Sequence, residues 1–200
     1  IFKMKFDMKT PLVSINLTTK NRSNFLKECI ASILIQTYKN IELIIVDDGS
    51  TDDTAKVVDS YKKLLKIRYI KNKYSKGNAC ARNSALKFSN GKYIAFMDDD
   101  DFWNDQDKIK KQVDILENQK DIELVYTEIY ILNENNNSTR HVKLEEPKSL
   151  IKHFLVKNSL IYSPTVLIRK SIFDIVGEFD EQVKKGVDSS FYRKNNYSIS

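Results

Sequence analysis

The run IELIIV at residues 41–46 is the segment that most constrains the fold of this chain. It is almost continuously apolar and has the length of a strand, which is typical of a strand buried on both of its faces. Helices must then cover both sides of the sheet that contains it. We therefore expect an α/β protein in which the strands are mostly parallel.

Strand and helix patterns alternate along most of the chain. Besides 41–46, strands are predicted at residues 12–17, 67–70, 93–97, 123–126 and 165–169. Helices are predicted at residues 24–36, 52–63, 78–88, 105–118, 150–156 and 170–176. The polar stretch at 133–138 predicts a surface turn between two antiparallel strands. The expected fold is a mixed, mostly parallel sheet flanked by helices.

Length and charge limit the class of protein. With 200 residues the chain is one domain by size and is long enough to bury a sizeable core. The net charge is +6, but the lysines are scattered, which favours a solvated surface over nucleic-acid binding. The second interpretation of this charge is attraction to a phosphorylated substrate or to anionic lipid, and hence peripheral membrane association.

The cysteines and the apolar runs bear on location. Cys29 and Cys80 have no metal-binding spacing, so we interpret them as buried free thiols in a reducing compartment. No apolar run approaches the ~20 residues that span a bilayer. The start of the chain lacks a signal peptide and an initiating Met, so it is interpreted as a piece of a longer protein. We expect a cytoplasmic location, extending to the inner face of the cytoplasmic membrane.

Acidic clusters follow two of the predicted strands. Asp47 and Asp48 come directly after the second strand, and the run Asp98-Asp99-Asp100-Asp101 comes directly after the fourth. Ligands of open α/β sheets bind outside the carboxyl ends of the strands. Both clusters are therefore placed where a ligand is expected.

The run of four acids is typical of a metal site. Adjacent carboxylates repel one another unless a cation neutralises them. The alternative is a solvated turn that caps the next helix, but a cap needs only one acid. Oxygen ligands suit Mg²⁺, Mn²⁺ or Ca²⁺. An EF-hand lacks its Gly here, and Phe102 stands where a phosphatase motif needs Thr, which leaves a metal that bridges a diphosphate leaving group.

Asp48 has two interpretations of equal weight. The sequence VDDGS is typical of a strand-to-helix turn, with Gly49 for the bend and an Asp or Ser as the helix cap. Alternatively, a carboxylate at this strand end could accept a hydrogen bond from a base N–H, such as uracil N3. The second acidic cluster makes that alternative relevant.

Three motifs in a specific order carry a family resemblance. VDDGSTDDT at 46–54 is followed by ARN at 81–83 and by GKYIAFMDDDD at 91–101. Over about residues 11–188 the chain resembles the family 2 glycosyltransferases. The resemblance implies a GT-A fold with a Rossmann-like nucleotide-binding core, a nucleoside-diphosphate sugar donor, with UDP favoured, and a divalent metal, Mn²⁺ or Mg²⁺. It also implies transfer with inversion.

The resemblance implies a division of the chain and an acceptor. Residues 1–200 would form one glycosyltransferase domain, with residues 11–126 binding the nucleotide sugar. Residues 127–200 would form the acceptor side, truncated at its C-terminal end. The acceptor would be a hydroxyl of a glycan or lipid-linked glycan in bacterial surface polysaccharide, lipooligosaccharide or glycan synthesis.

The resemblance also assigns residues to the nucleotide. Asp48 would bind the uracil edge, with Asp47 beside it, and Thr18 would line the nucleotide pocket. Asn78 and Arg82 match a segment that passes near the base and the diphosphate. For Arg82 a surface salt bridge is an equal alternative.

Further assignments concern the metal and the reaction. Asp98 or Asp99 would contact the ribose, and Asp100 would ligate the metal. The segment VGEFDEQVKKGVDSSFYRK resembles the part of the family that holds the catalytic base, and Asp188 occupies the position of that base.

Two departures from the family pattern keep other functions open. Lys20 replaces a common aromatic residue in the first loop, and Val187 replaces the usual acid before the base. A non-catalytic nucleotide-binding module is therefore one alternative. A sugar-phosphate nucleotidyltransferase is the other, although the loop LTTKNRSN lacks the glycines that such an enzyme needs.

Overall fold

The computed structural model describes residues 10–133, 136–143, 161–183, 186–187 and 190–191. The elements, in chain order, are β1 (Val13–Thr19), α1 (Ser23–Leu34), β2 (Ile41–Asp47), α2 (Thr54–Tyr61), β3 (Ile67–Lys71), α3 (Asn78–Phe88), β4 (Tyr93–Asp98), α4 (Lys108–Asn118), β5 (Leu124–Val125), β6 (Ile129–Asn133), β7 (Ser138–Val142), a 3₁₀ turn (Ser163–Thr165), β8 (Leu167–Arg169) and α5 (Ile172–Val176). None of the helices in these ranges is long and apolar enough to cross a membrane.

The predicted strands and helices are confirmed wherever the structure describes them, and the main differences are at their ends. β8 begins at Leu167 instead of residue 165 because Ser163–Thr165 forms the 3₁₀ turn. Helix α4 begins at Lys108 instead of residue 105 because Asp105 accepts a hydrogen bond from the backbone N–H of Asp107 in the preceding turn. The helix predicted at 150–156 lies outside the described residues.

The main sheet has six strands in the order β3-β2-β1-β4-β8-β5. Strands β3, β2, β1 and β4 are parallel, whereas β8 is antiparallel to both β4 and β5. The antiparallel hairpin β6–β7 forms a separate two-stranded sheet around the predicted turn. The mixed, mostly parallel sheet expected from the sequence is therefore confirmed.

Both faces of β2 are buried, as its apolar run predicts. Leu43 and Ile45 lie in the core that contains residues of α1, α2 and α4. Ile44 and Val46 point to the other face and pack with Ala81 of α3. Because successive side chains of a strand alternate between faces, one short segment holds the two helix layers together.

A polar network closes the sheet at the amino end of its strands. The carboxylate of buried Glu42 accepts hydrogen bonds from Ser14 Oγ at 2.7 Å and from the backbone N–H of Asn90 at 2.6 Å. Ser14 Oγ in turn accepts from the N–H of Gly91 at 2.8 Å. A Cβ on Gly91 would lie 2.5 Å from the backbone nitrogen of Ser14. The turn into β4 thus depends on the absence of a side chain at Gly91.

Asn83 joins helix α3 to the later part of the chain. Its Oδ1 accepts from the backbone N–H of Phe179 at 2.9 Å, and its Nδ2 donates to the carbonyl of Phe179 at 3.0 Å. The ring of Phe179 packs edge-on against Phe96 of β4. The segment around residue 179 is therefore fixed to the parallel part of the sheet.

We predict that Gly91→Ala lowers the free energy of unfolding by about 2 kcal/mol, the scale of overpacking in a close-packed interior. The added methyl must displace backbone and not merely a flexible side chain. Denaturant unfolding measures the loss. Asn90→Ala, at the exposed neighbouring position, is the control and should change the stability much less. Equal stability of the two variants would contradict the close approach of Gly91 to Ser14.

Candidate active site

The register of three strands brings the acidic clusters together. Thr19 of β1 pairs with Asp47 of β2, and Thr18 pairs with Asp98 of β4. A cleft of about 510 Å³ opens at these strand ends. Six of the residues that the sequence assigned to the nucleotide or the metal line it: Thr18, Asp48, Asn78, Asp98, Asp99 and Asp100. The sequence therefore located the cleft correctly.

The carboxylate of Asp48 holds the loop that follows β3. It accepts hydrogen bonds from Asn72 Nδ2 at 2.9 Å, Ser75 Oγ at 2.6 Å, and the N–H groups of Lys76 and Gly77 at 2.8 and 2.9 Å. Burial alone would raise the pKa of Asp48, but these hydrogen bonds outweigh it and lower the pKa. An ionised carboxylate has about four acceptor positions, so this loop uses all of them.

Asp47 and Arg82 are buried and are not among the residues that line the cleft. Asp47 accepts hydrogen bonds from the N–H of Ser50 at 2.6 Å and from the hydroxyl of Tyr69. These contacts fix the turn at residues 47–50, which positions Asp48. Arg82 donates to both oxygens of Asp98 at 2.9 and 3.1 Å. The salt bridge considered for Arg82 is therefore present, but Arg82 is only 2% exposed, so it is not a surface pair.

Thr18 and Asn78 lie beside this pair, in which Arg82 is buried and Asp98 is partly exposed to the cleft. Thr18 Oγ1 is 3.1 Å from Asn78 Oδ1 and 3.5 Å from Asp98 Oδ1. Asn78 is the first residue of α3, and Gly77 before it has a φ of 92°. The N-terminal end of α3 thus opens into the cleft, where backbone N–H groups and the helix dipole favour an anion.

The next two carboxylates face residues that follow β1. Asp99 is buried and accepts from Thr19 Oγ1 at 2.7 Å, from the N–H of Lys20 at 3.3 Å and from Arg22 Nη1 at 3.3 Å. Asp100 is more open, with a side chain 47% exposed, and pairs with Arg22 Nη1 as well. Arg22 therefore bridges two members of the acidic run.

The chemistry of the acidic run fits a divalent cation. Burial, followed by the charges of Asp98, Asp100 and Asp99, raises the pKa of Asp101 to about 7. A cation would relieve this repulsion, and carboxylate oxygens are the ligands that Mg²⁺ and Mn²⁺ prefer. Within the described ranges no three acidic, His or Cys side chains are already arranged as a metal site. Asp100 is the member of the run that is most open to the cleft and could hold such a cation.

Two features of the site were not predicted. Arg22 has no assigned role in the sequence pattern, and neither have the groups that hold Asp48, which are Asn72, Ser75 and the backbone N–H groups of Lys76 and Gly77. Each lies in a segment that directly follows a parallel strand, so strand-end position was the signal that could have found them. Asp188, assigned as the base, lies outside the described residues, whereas its neighbour Val187 is buried near Phe179.

The chain belongs to glycosyl transferase family 2. The model of that family, described as Glycosyl transferase family 2, matches residues 14–176. The chain is 36% identical over 199 residues to an uncharacterized glycosyltransferase of Rickettsia prowazekii, which covers 96% of this chain and 60% of that protein. It is 46% identical over 120 residues to Escherichia coli WfaP, a UDP-Glc:α-D-GlcNAc-diphosphoundecaprenol β-1,3-glucosyltransferase, covering 60% of this chain and 47% of WfaP. The chain therefore spans about half to three-fifths of these relatives.

The fold is similar to that of S. aureus TarS, residues 1–349, in a complex with UDP-GlcNAc. The TM-score is 0.77 at 23% identity, over 92% of this chain and 53% of the TarS chain. This likeness establishes the fold, and the expected GT-A architecture is confirmed.

We predict that Arg82→Met destabilises the protein by about 2 kcal/mol, because the buried guanidinium is lost and the partly exposed Asp98 loses both of its charge-assisted hydrogen bonds from Arg82 Nη2. Asp98 would then lie among carboxylates without this partner. Lys87→Met is the matched control on the same helix, since Lys87 forms an exposed pair with Glu178 at 3.8 Å. Such pairs contribute at most about 1 kcal/mol. Thermal or denaturant unfolding measures both variants, and equal losses would contradict a structural role for the Arg82–Asp98 pair.

Proposed function

We propose that this protein is a metal-dependent glycosyltransferase that transfers a sugar, with inversion, from a nucleoside-diphosphate sugar to a hydroxyl acceptor. UDP is the favoured nucleotide. The acceptor is a glycan or lipid-linked glycan in bacterial surface polysaccharide, lipooligosaccharide or glycan synthesis. The observation that carries the proposal is the cleft at the ends of β1, β2 and β4, lined by Asp48 and by Asp98–Asp100.

The relatives support the class of donor and acceptor. The name of the E. coli relative gives a UDP-sugar donor and a diphosphoundecaprenol-linked acceptor. The TarS structure of the same fold contains UDP-GlcNAc. A lipid-linked acceptor would bring the protein to the inner face of the cytoplasmic membrane, which agrees with its positive net charge.

In the proposed complex the base lies near Asp48 and the ribose near Asp98 or Asp99. The uracil N3–H would donate to Asp48, with Asp47 fixing the turn beside it. Because the loop after β3 already uses the acceptor positions of Asp48, one loop donor must give way to the base. Ser75 is the donor that we expect to give way, because it lines the cleft and its contact with Asp48 is made by a side-chain hydroxyl that can rotate away. Thr18, Asn78 and the buried Arg82 complete the nucleotide side.

The metal and the catalytic base complete the proposal. Asp100 would hold Mn²⁺ or Mg²⁺, which stabilises negative charge on the departing diphosphate. Asp188 would take the proton of the acceptor hydroxyl as the new bond forms. Within the single domain, residues 127–200 would supply the acceptor side and residues 11–126 the donor side.

We predict that UDP with Mn²⁺ raises the melting temperature of the wild-type protein and not that of Asp100→Asn. Ligand at 100 times its dissociation constant stabilises by about 2.7 kcal/mol. Without ligand the variant should melt near the wild type, since the exposed Arg22–Asp100 pair contributes at most about 1 kcal/mol. A screen of UDP-, GDP- and dTDP-sugars in the same assay identifies the donor. Undiminished Mn²⁺-dependent stabilisation of Asp100→Asn would remove Asp100 from the metal site.

We predict that Asp188→Asn transfers sugar about 10²- to 10⁴-fold more slowly, the usual contribution of a positioned base. Asn has nearly the same shape and hydrogen-bonding reach as Asp but cannot take the proton, so UDP binding and the melting temperature should stay near the wild-type values. The assay is transfer from UDP-sugars to GlcNAc-diphosphoundecaprenol, the acceptor class in the E. coli relative's name. Asp180→Asn, at an exposed position, is the control. Transfer by Asp188→Asn at the normal rate would remove Asp188 from the mechanism.

A further inference from the structure

We propose that Arg22 and the divalent cation compete for the carboxylate of Asp100, and that the displaced guanidinium then pairs with the diphosphate of the donor. The inference rests on the proposed function, because it gives a role to a residue beside the same metal. Arg22 would thus pair with Asp100 in the absence of the metal and with the donor diphosphate when the metal is bound.

The acidic run offers Arg22 two unequal partners. Asp99 is buried and has hydrogen bonds from Thr19 Oγ1 and from the N–H of Lys20 besides its contact with Arg22. For Asp100, the described residues provide one hydrogen-bond partner, the Nη1 of Arg22. Asp100 is therefore the carboxylate that depends on Arg22 and also the one most open to a cation.

The backbone of Arg22 is fixed, whereas its side chain is not enclosed. Asn21 has a φ of 54°, donates its N–H to Ser50 Oγ at 2.9 Å and accepts from the N–H of Thr51 at 2.8 Å. The carbonyl of Arg22 accepts from the N–H of Leu26 at 2.9 Å in the first turn of α1. The side chain of Arg22 is 49% exposed and lines the cleft. The long side chain of Arg22 can therefore change its partner while the backbone of residue 22 stays in place.

Charge explains why the exchange is favourable in one direction only. A divalent cation brings two positive charges to Asp100, where Arg22 supplies one, and a guanidinium beside a metal ion is repelled. The donor diphosphate adds negative charge to the same cleft. The planar guanidinium matches phosphate oxygens in a bidentate geometry, so the diphosphate is its natural second partner.

The test is a pair of titrations on the wild type, Arg22→Met and Lys20→Met. Lys20 is the charge-matched control: it lines the same cleft, and within the described ranges its side chain makes no ion pair. Calorimetry with Mn²⁺ alone should show about tenfold tighter binding to Arg22→Met than to the wild type. The reason is that the cation no longer has to break the charge-assisted hydrogen bond between Arg22 and Asp100. Calorimetry with UDP at saturating Mn²⁺ should show about tenfold weaker binding to that variant. Lys20→Met should change Mn²⁺ binding less than about twofold.

The opposite signs identify the exchange. Equal effects of the two variants on Mn²⁺ binding would show a general charge effect and overturn the proposal, as would unchanged or tighter UDP binding by Arg22→Met. If Arg22→Met does not fold, Arg22→Gln replaces it in the same titrations. Failure of the wild type and both variants to bind Mn²⁺ or UDP would contradict the proposed function and the exchange together. Normal binding by the wild type with no difference between the variants would contradict the exchange alone.

Discussion

Repulsion among four adjacent carboxylates is the constraint around which this cleft is arranged. Asp98 ends β4 and the other three acids follow it, and the first three of the four have different partners. Asp98 accepts hydrogen bonds from the buried guanidinium of Arg82. Asp99 accepts hydrogen bonds from Thr19 Oγ1 and from the backbone N–H of Lys20. Asp100 reaches Arg22. Helix α3, the end of β1 and the start of α1 therefore all contribute positive or donor groups to one loop.

The position of the loop after β3 depends on a single carboxylate, that of Asp48. Asp48 gathers its four hydrogen bonds from residues 72–77, and Gly49 lets this loop pass close by, since a Cβ there would lie 3.2 Å from the N of Ser75. A ligand that takes one acceptor position of Asp48 necessarily changes what holds the loop. Binding and loop position are then linked through one carboxylate, and the ligand favours the arrangement in which it binds better.

The sequence predicted the layers and the cleft because both follow from local patterns. Continuous apolar runs identify strands buried on two faces, and the ends of parallel strands mark the ligand edge. It assigned the base contact to Asp48 with Asp47 beside it; neighbouring strand-end residues point to opposite sides, and of the two only Asp48 lines the cleft. Arg22 and Ser75 also lie just after strand ends, which could have marked them as lining the ligand edge, but their partners could not be predicted. Their contacts with Asp100 and Asp48 join positions 78 and 27 residues apart, and no local period records such pairs.

The attachment of residue 179 to Asn83 has a consequence for how such a protein can diversify. Both hydrogen bonds to Phe179 use its main-chain N–H and carbonyl, which every amino acid except proline offers in the same form. The anchorage of this segment to α3 therefore does not depend on which side chain stands at position 179, whereas the buried ring of Phe179 contributes its packing against Phe96. Exposed positions of this segment, such as 180 and 182, could then vary without disturbing the neighbouring Arg82 and its pair with Asp98.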